Sequence, residues 1–287
     1  MPDRYNKVMS NKKFFASFML LLATLFWGLS YTVQSISASG LGPFTTVFFK
    51  GAGGFFLLPL LAGKKKIDRE TLTGGLLMGA FAFGGCLLQQ LGIMYSTVSK
   101  ASFITALYII FVPLIEIFFG RKVRRSIWFS CLLAVAGLYF LCMNSVAGIN
   151  IGDLFLLLGS VLFAGQIIVI DRCVRKCDPV ALTFISQSAV ALFALAVSLI
   201  REKPDVSSFA EMIPAIFYIV FIGGLISQLI QIRYQRDLEP SLASLLMSFE
   251  SVFGALFGWL ILHQVMSPKE IFGCLLVFIA ILLAETK

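Results

Sequence analysis

The chain has 287 residues, of which 59% are hydrophobic and only 13% charged, with a formal net charge of +8. Such an apolar share excludes an ordinary soluble domain, and basic residues held in short clusters between apolar runs exclude a nucleic-acid surface and read as topology signals. The six cysteines, scattered through apolar segments, indicate neither a disulfide framework nor a metal-ligand array.

Arg4, Lys7, Lys12 and Lys13 precede the run Phe14–Ile36 as in a secretory signal. The run is too long for a signal h-region, so it is read as a first transmembrane helix. Splitting the remaining apolar runs at turn residues and charges, at roughly 17–25 residues per span, gives ten helices. They cover 14–36, 43–62, 72–94, 98–119, 126–146, 151–171, 179–200, 212–232, 241–262 and 268–284. Ser39-Gly40-Leu41-Gly42-Pro43 separates the first two, where no charge does.

With the N-terminus inside, 18 of the 23 basic residues fall in cytoplasmic segments, and only Lys100, Arg201, Lys203 and Lys269 fall in outer loops. Both termini are therefore expected in the cytoplasm, with the chain in the inner (cytoplasmic) membrane.

The halves repeat. Gly84-Gly85, Gln89 and Tyr95 match Gly223-Gly224, Gln228 and Tyr234 at an offset of 139, and Cys131-Leu132-Leu133 matches Cys274-Leu275-Leu276 at an offset of 143. Residues 14–146 and 151–284 thus form two five-helix repeats. An odd helix number turns the second copy upside down, so the predicted fold is an all-α membrane protein of two inverted repeats, with a binding site near the midplane.

Polar residues inside the spans are the candidate site. Trp27, Tyr31 and Gln34 share one face of the first helix and suit an amphipathic solute, unless they form an interfacial aromatic belt. Gln89 and Gln90 on the third helix, Gln228 and Gln231 on the eighth and Gln166 on the sixth suit a polar solute; interhelical hydrogen bonding is an equal use for any one of them. Ser102, Thr105, Val112 and Glu116 line one side of the fourth helix beside Tyr108. There Pro113 removes the usual partner of the Ile109 carbonyl, a hinge or an extra acceptor.

Lys50, about seven residues into the second helix, can snorkel outward, partner a carboxylate, or hold an anionic solute. Glu116 stands near Arg121 and is expected in an interfacial ion pair. Glu250 lies mid-span beside a stripe of Ser241, Ser244, Ser248, Ser251, Gly254 and Gly258 suited to close helix contact. An acid there defaults to function, against the alternative of a protonated group bonded to a neighbouring helix. Substrate binding is thus assigned to Trp27, Tyr31, Gln89, Tyr108, Gln166, Gln228 and Glu250, and a charge network to Glu250, Lys50 and Glu116.

Trp27-Gly28-Leu29-Ser30-Tyr31, Lys50, Ser102-Phe103-Ile104-Thr105 leading to Phe111-Val112-Pro113-Leu114, and Leu238-Glu239-Pro240 through Phe249-Glu250-Ser251-Val252 resemble the EamA-type branch of the drug/metabolite transporter superfamily. The resemblance covers nearly the whole chain. It implies ten helices, cytoplasmic termini and alternating access, usually to export small metabolites. Where the family often has Gly-Glu, this chain has Gly120-Arg121 and His263-Gln264, so no role resting on those acids carries over.

The expected function is a secondary transporter for an amino-acid-like or drug-like solute, with proton coupling through Glu250. The partners are then a small-molecule substrate and the lipid bilayer, with no nucleic acid, and a monomer suffices. A channel would want rings of like charge or carbonyl filters. A membrane enzyme is less expected: one histidine, His263, cannot build a histidine metal cluster, and no G-x-x-x-x-G-K-[ST] loop binds ATP. No cofactor is expected.

Overall fold

A computed structural model of the chain describes residues 2–37, 40–57, 67–96, 98–142, 150–202, 209–262 and 266–285. These residues form thirteen α-helices, a π-helical segment and no strand. In chain order they are α1 (Pro2–Ser37), α2 (Pro43–Leu57), α3 (Arg69–Tyr95), α4 (Val98–Ala106), α5 (Tyr108–Phe118), α6 (Arg125–Cys142), α7 (Ile151–Cys173), α8 (Pro179–Arg201) and α9 (Phe209–Phe217). The π-helical Tyr218–Ile226 follows, then α10 (Ser227–Gln235), α11 (Pro240–Met247), α12 (Glu250–Leu262) and α13 (Pro268–Glu285). Eight stretches are long and apolar enough to cross a membrane. Of the other two expected spans, 43–62 is described only through Leu57, and α13 carries Lys269, Glu270 and Glu285 among its 18 residues. His263 lies outside the described residues.

Local chemistry sets the helix starts. Asp68 caps α3 by accepting from Thr71 N, and hydrogen bonding from the Thr71 side chain and then its backbone holds the carboxyl below the usual range. Asn150 and Asp153 form a reciprocal capping box on α7, and Asp178 caps α8 ahead of Pro179. The N-terminus of α2 is capped from afar: Glu202, after α8, accepts from Phe44 N at 2.7 Å, Thr45 N at 2.9 Å and Thr45 Oγ1 at 2.6 Å. A carboxylate there also complements the helix dipole. Glu202→Ala is expected to lower stability by about 1–2 kcal/mol, and Glu202→Gln by less; thermal unfolding in detergent measures both.

The ion pairs at the other end bring Arg121 to Asp171 (2.7 Å), Arg175 to Asp171 (2.8 Å), Arg124 to Glu239 (3.1 Å) and Lys176 to Glu70 (3.2 Å). This is termed the basic end. Its acid Asp171 is wholly buried, and the bond it accepts from Arg121 raises that guanidinium above its ordinary value. Glu116 joins the cluster, 3.6 Å from Arg121 and bonded by the Ser241 hydroxyl.

Two spans are not continuous rods. One breaks at Leu107, between α4 and α5; the other breaks at Ser248-Phe249, between α11 and α12. Pro113 does not interrupt its helix. It sits inside α5, and the Ile109 carbonyl that it deprives accepts from Cys131 Sγ at 3.2 Å. The serine stripe also has a different use: Ser244 and Ser248 donate to the carbonyls of Ser241 and Leu245 in their own helix. Such back-bonding competes with regular helix geometry, and α11 ends there.

The close contact expected of Gly254 is made with Gly28, whose added Cβ would lie 2.9 Å from Gly254 N. An added Cβ on Gly28 would lie 2.5 Å from Phe253 Cβ and 2.9 Å from the Glu250 carbonyl, whereas one on Gly254 would meet nothing nearer than 3.8 Å.

Candidate functional site

A cavity of about 870 Å³ opens among these helices. Trp27, Tyr31, Lys50, Gln89, Tyr108, Gln166, Gln228 and Glu250 all line it, as do Gln34 and Gln231. Glu116 does not; it stands in the ion cluster at the basic end. Gln90 is buried on α3 but lies outside the lining. Repeat-matched Gln89 and Gln228 reach the same cavity, but each belongs to a different hydrogen-bond set.

Glu250 is the focus of the first set. It is the first residue of α12, and Tyr108 is the first residue of α5, so both breaks deliver a polar side chain into the cavity. Discontinuous helices whose N-terminal, positive ends meet at mid-membrane favour a negative group there. Tyr108 and Tyr31 donate to Glu250 Oε1 at 3.3 and 3.5 Å. Those distances exceed the usual O–H···O value of about 2.8 Å, so the carboxylate is approached and not gripped.

Behind Tyr31 runs a directed relay. Lys50 Nζ donates to Gln89 Oε1 at 3.4 Å, and Gln89 Nε2 donates to Tyr31 Oη at 3.1 Å. Among the described lining residues, the one lysine and the one acid are therefore linked through an amide and a phenol.

The second set is an amide ladder on α10. Gln228 Nε2 donates to Gln231 Oε1 and Gln231 Nε2 to Gln235 Oε1, both at 3.2 Å, and Gln235 Nε2 ends on the Ile167 carbonyl at 2.7 Å. Other lining groups stay open: Gln34 Oε1, Thr105 Oγ1 and Gln166 Nε2 are buried with no hydrogen-bond partner. Buried polar groups are normally paired. These atoms remain able to pair with water or with a solute.

The π-helical segment was not foreseen. Its Gly223 and Gly224 carbonyls accept from Trp27 Nε1 at 3.0 Å and Gln187 Nε2 at 3.2 Å. Neither glycine has room for a Cβ: Ser30 Oγ stands over Gly223, and the Lys50 backbone over Gly224. Wider π-turns often occur at functional sites, and this one brings backbone acceptors to the wall. Gln187, the amide within the apolar run 179–200, was also missed; its polarity there was the available signal.

Helices long and apolar enough to span a membrane, packed around a polar cavity, define a multi-pass membrane protein. The model of the EamA-like transporter family matches residues 14–143 and again 150–286. The chain belongs to that family. It is 27% identical over 282 residues to an uncharacterized transporter of Archaeoglobus fulgidus, covering 96% of this chain and 87% of that protein. A protein of known crystal structure shares the fold at a TM-score of 0.74 and 17% identity, over 94% of this chain and 96% of the other.

Proposed function

We propose that this EamA-like protein is a secondary active transporter that exports a small polar or amphipathic metabolite by alternating access. In this reading it crosses the cytoplasmic membrane ten times, as two inverted five-helix repeats with both termini inside. The observation that carries the reading is the meeting of two mid-span helix breaks at one cavity, where Tyr31 and Tyr108 point at Glu250 and Lys50 reaches it through Gln89. The repeat offsets and the gathering of basic residues at one end support the topology. Glu250 couples transport to protons because a proton and a cationic group of the solute compete for the same carboxylate.

The test is a stabilisation screen of amino-acid-like and drug-like compounds on purified protein. A ligand at one hundred times its Kd is expected to raise stability by roughly 2.7 kcal/mol, and Tyr108→Phe should shrink the shift. Compounds that stabilise Tyr108→Phe, Gln89→Ala and the parent protein equally would place binding elsewhere.

A further inference from the structure

A second pocket lies at the basic end, about 810 Å³ in volume, between α1, the turn after α7 and the turn from α10 to α11. Its walls carry Lys12, Lys13, Arg175 and Arg236 against only Asp237 and Glu239. Both acids are already engaged: Asp237 lies 3.8 Å from Arg236, and Glu239 is bonded by Arg124 at 3.1 Å. Arg175 uses one nitrogen on Asp171 and keeps donors to spare. Among the described residues, Lys12 and Lys13 have no carboxylate partner within ion-pair distance. The pocket therefore has a surplus of positive charge and of unused N–H donors.

Its height in the bundle selects the anion. Lys12 and Lys13 stand at the start of the span Asn11–Gln34, Arg175 follows the span ending at Cys173, and Arg236 follows the span ending at Gln235. The cations thus lie level with the ends of three spans, where phospholipid headgroups sit. Directly below on α1, Phe14, Phe15 and Phe18 are 75%, 51% and 56% exposed, and Phe15 meets Tyr234 of α10 edge-on at 5.5 Å. Phosphate-binding cations above an apolar, outward-facing flank match the two parts of a lipid.

We infer that this pocket holds the headgroup of an anionic phospholipid. Lys12, Lys13 and Arg236 take the phosphate, and Phe14 and Phe18 take the start of an acyl chain. Basic pockets between membrane helices on the cytoplasmic side are suited to such headgroups. Because Arg175 serves both this pocket and Asp171, an occupant would draw on the ion cluster that joins α5, α7 and α11 at this end.

The experiment is native mass spectrometry and thermal unfolding of the full chain with phosphatidylglycerol or phosphatidylcholine. The parent protein should retain phosphatidylglycerol preferentially and be stabilised by it. Lys12→Gln and Lys13→Gln change exposed side chains, leave the fold intact, and should each weaken that binding by about fivefold. Lys122→Gln with Arg125→Gln, exposed cations of the same end but outside the pocket, should leave it unchanged. Equal retention of the two lipids, loss of preference in the Lys122/Arg125 control, or equal stabilisation by inorganic phosphate alone would each overturn the assignment.

Discussion

Glu250→Gln is expected to keep the fold, to weaken solute binding by roughly ten- to a hundredfold, and to abolish the pH dependence of that binding. The magnitude is that of losing a hydrogen bond to a charged group in a site sheltered from water, about 1.5–3 kcal/mol. The fold survives because the amide retains the acceptor that Tyr31 and Tyr108 reach and removes a charge the membrane disfavours. In the proposed coupling a proton and a cationic solute compete for one carboxylate, so the parent protein's affinity should rise with pH across about pH 5 to 8. The glutamine form should be flat over the same range. Affinities measured at several pH values on both proteins decide the matter: a well-folded glutamine variant that keeps the parent pH profile removes Glu250 from coupling. A variant that is merely unstable assigns it to structure.

Gly28→Val should be among the most damaging single substitutions in the chain. Its side chain would enter space already held by Phe253 Cβ and the Glu250 carbonyl, forcing α1 away from α12. Overpacking costs about 1–3 kcal/mol where side chains can shift, and here the Glu250 carbonyl and Gly254 N are backbone, so the upper part of that range or more is expected. The same displacement carries Trp27 and Tyr31, which flank Gly28, off the cavity wall; binding should therefore fail in whatever protein still folds. Gly254→Ala is the matched control, with its nearest neighbour 3.8 Å away, and should be nearly neutral. Thermal unfolding and size-exclusion profiles in detergent compare the two. A monodisperse Gly28→Val protein with the parent's stability would contradict the packing described here.

The cavity residues were legible because lipid makes polarity conspicuous. In a run such as Leu87–Ile93 an amide has no solvent to face, so Gln89 had to point at a neighbour or at a site, and the same logic found Gln166, Gln228 and Glu250. Helix direction and periodicity then placed Tyr31 one turn beyond Trp27. What stayed hidden was local irregularity. Pro113 is a conspicuous breaker, yet the break lies at Leu107, and the carbonyl freed by the proline is satisfied by Cys131 Sγ on another helix. Serines at steps of three and four fit a close-packed stripe as well as they fit back-bonding to their own carbonyls, and only tertiary contacts separate the two. Gly84-Gly85 and Gly223-Gly224 match in sequence, but the first pair lies in the regular helix α3 and the second in a π-turn. The symmetry of the residues therefore overstates the symmetry of the backbone.

The two breaks also have a mechanical meaning. A straight rod that rocks must carry every residue along its arc, and a group at its centre shifts with the tilt of the whole. A rod interrupted at mid-length offers a fulcrum: if the spans rock as the proposed alternating access requires, α4 and α5 in one span and α11 and α12 in the other would swing about the joint between them. Tyr108 and Glu250 sit at those joints. In the alternating-access reading proposed above, Tyr108 and Glu250 would therefore stand where such a lever travels least, and rocking of either end would leave the two side chains together.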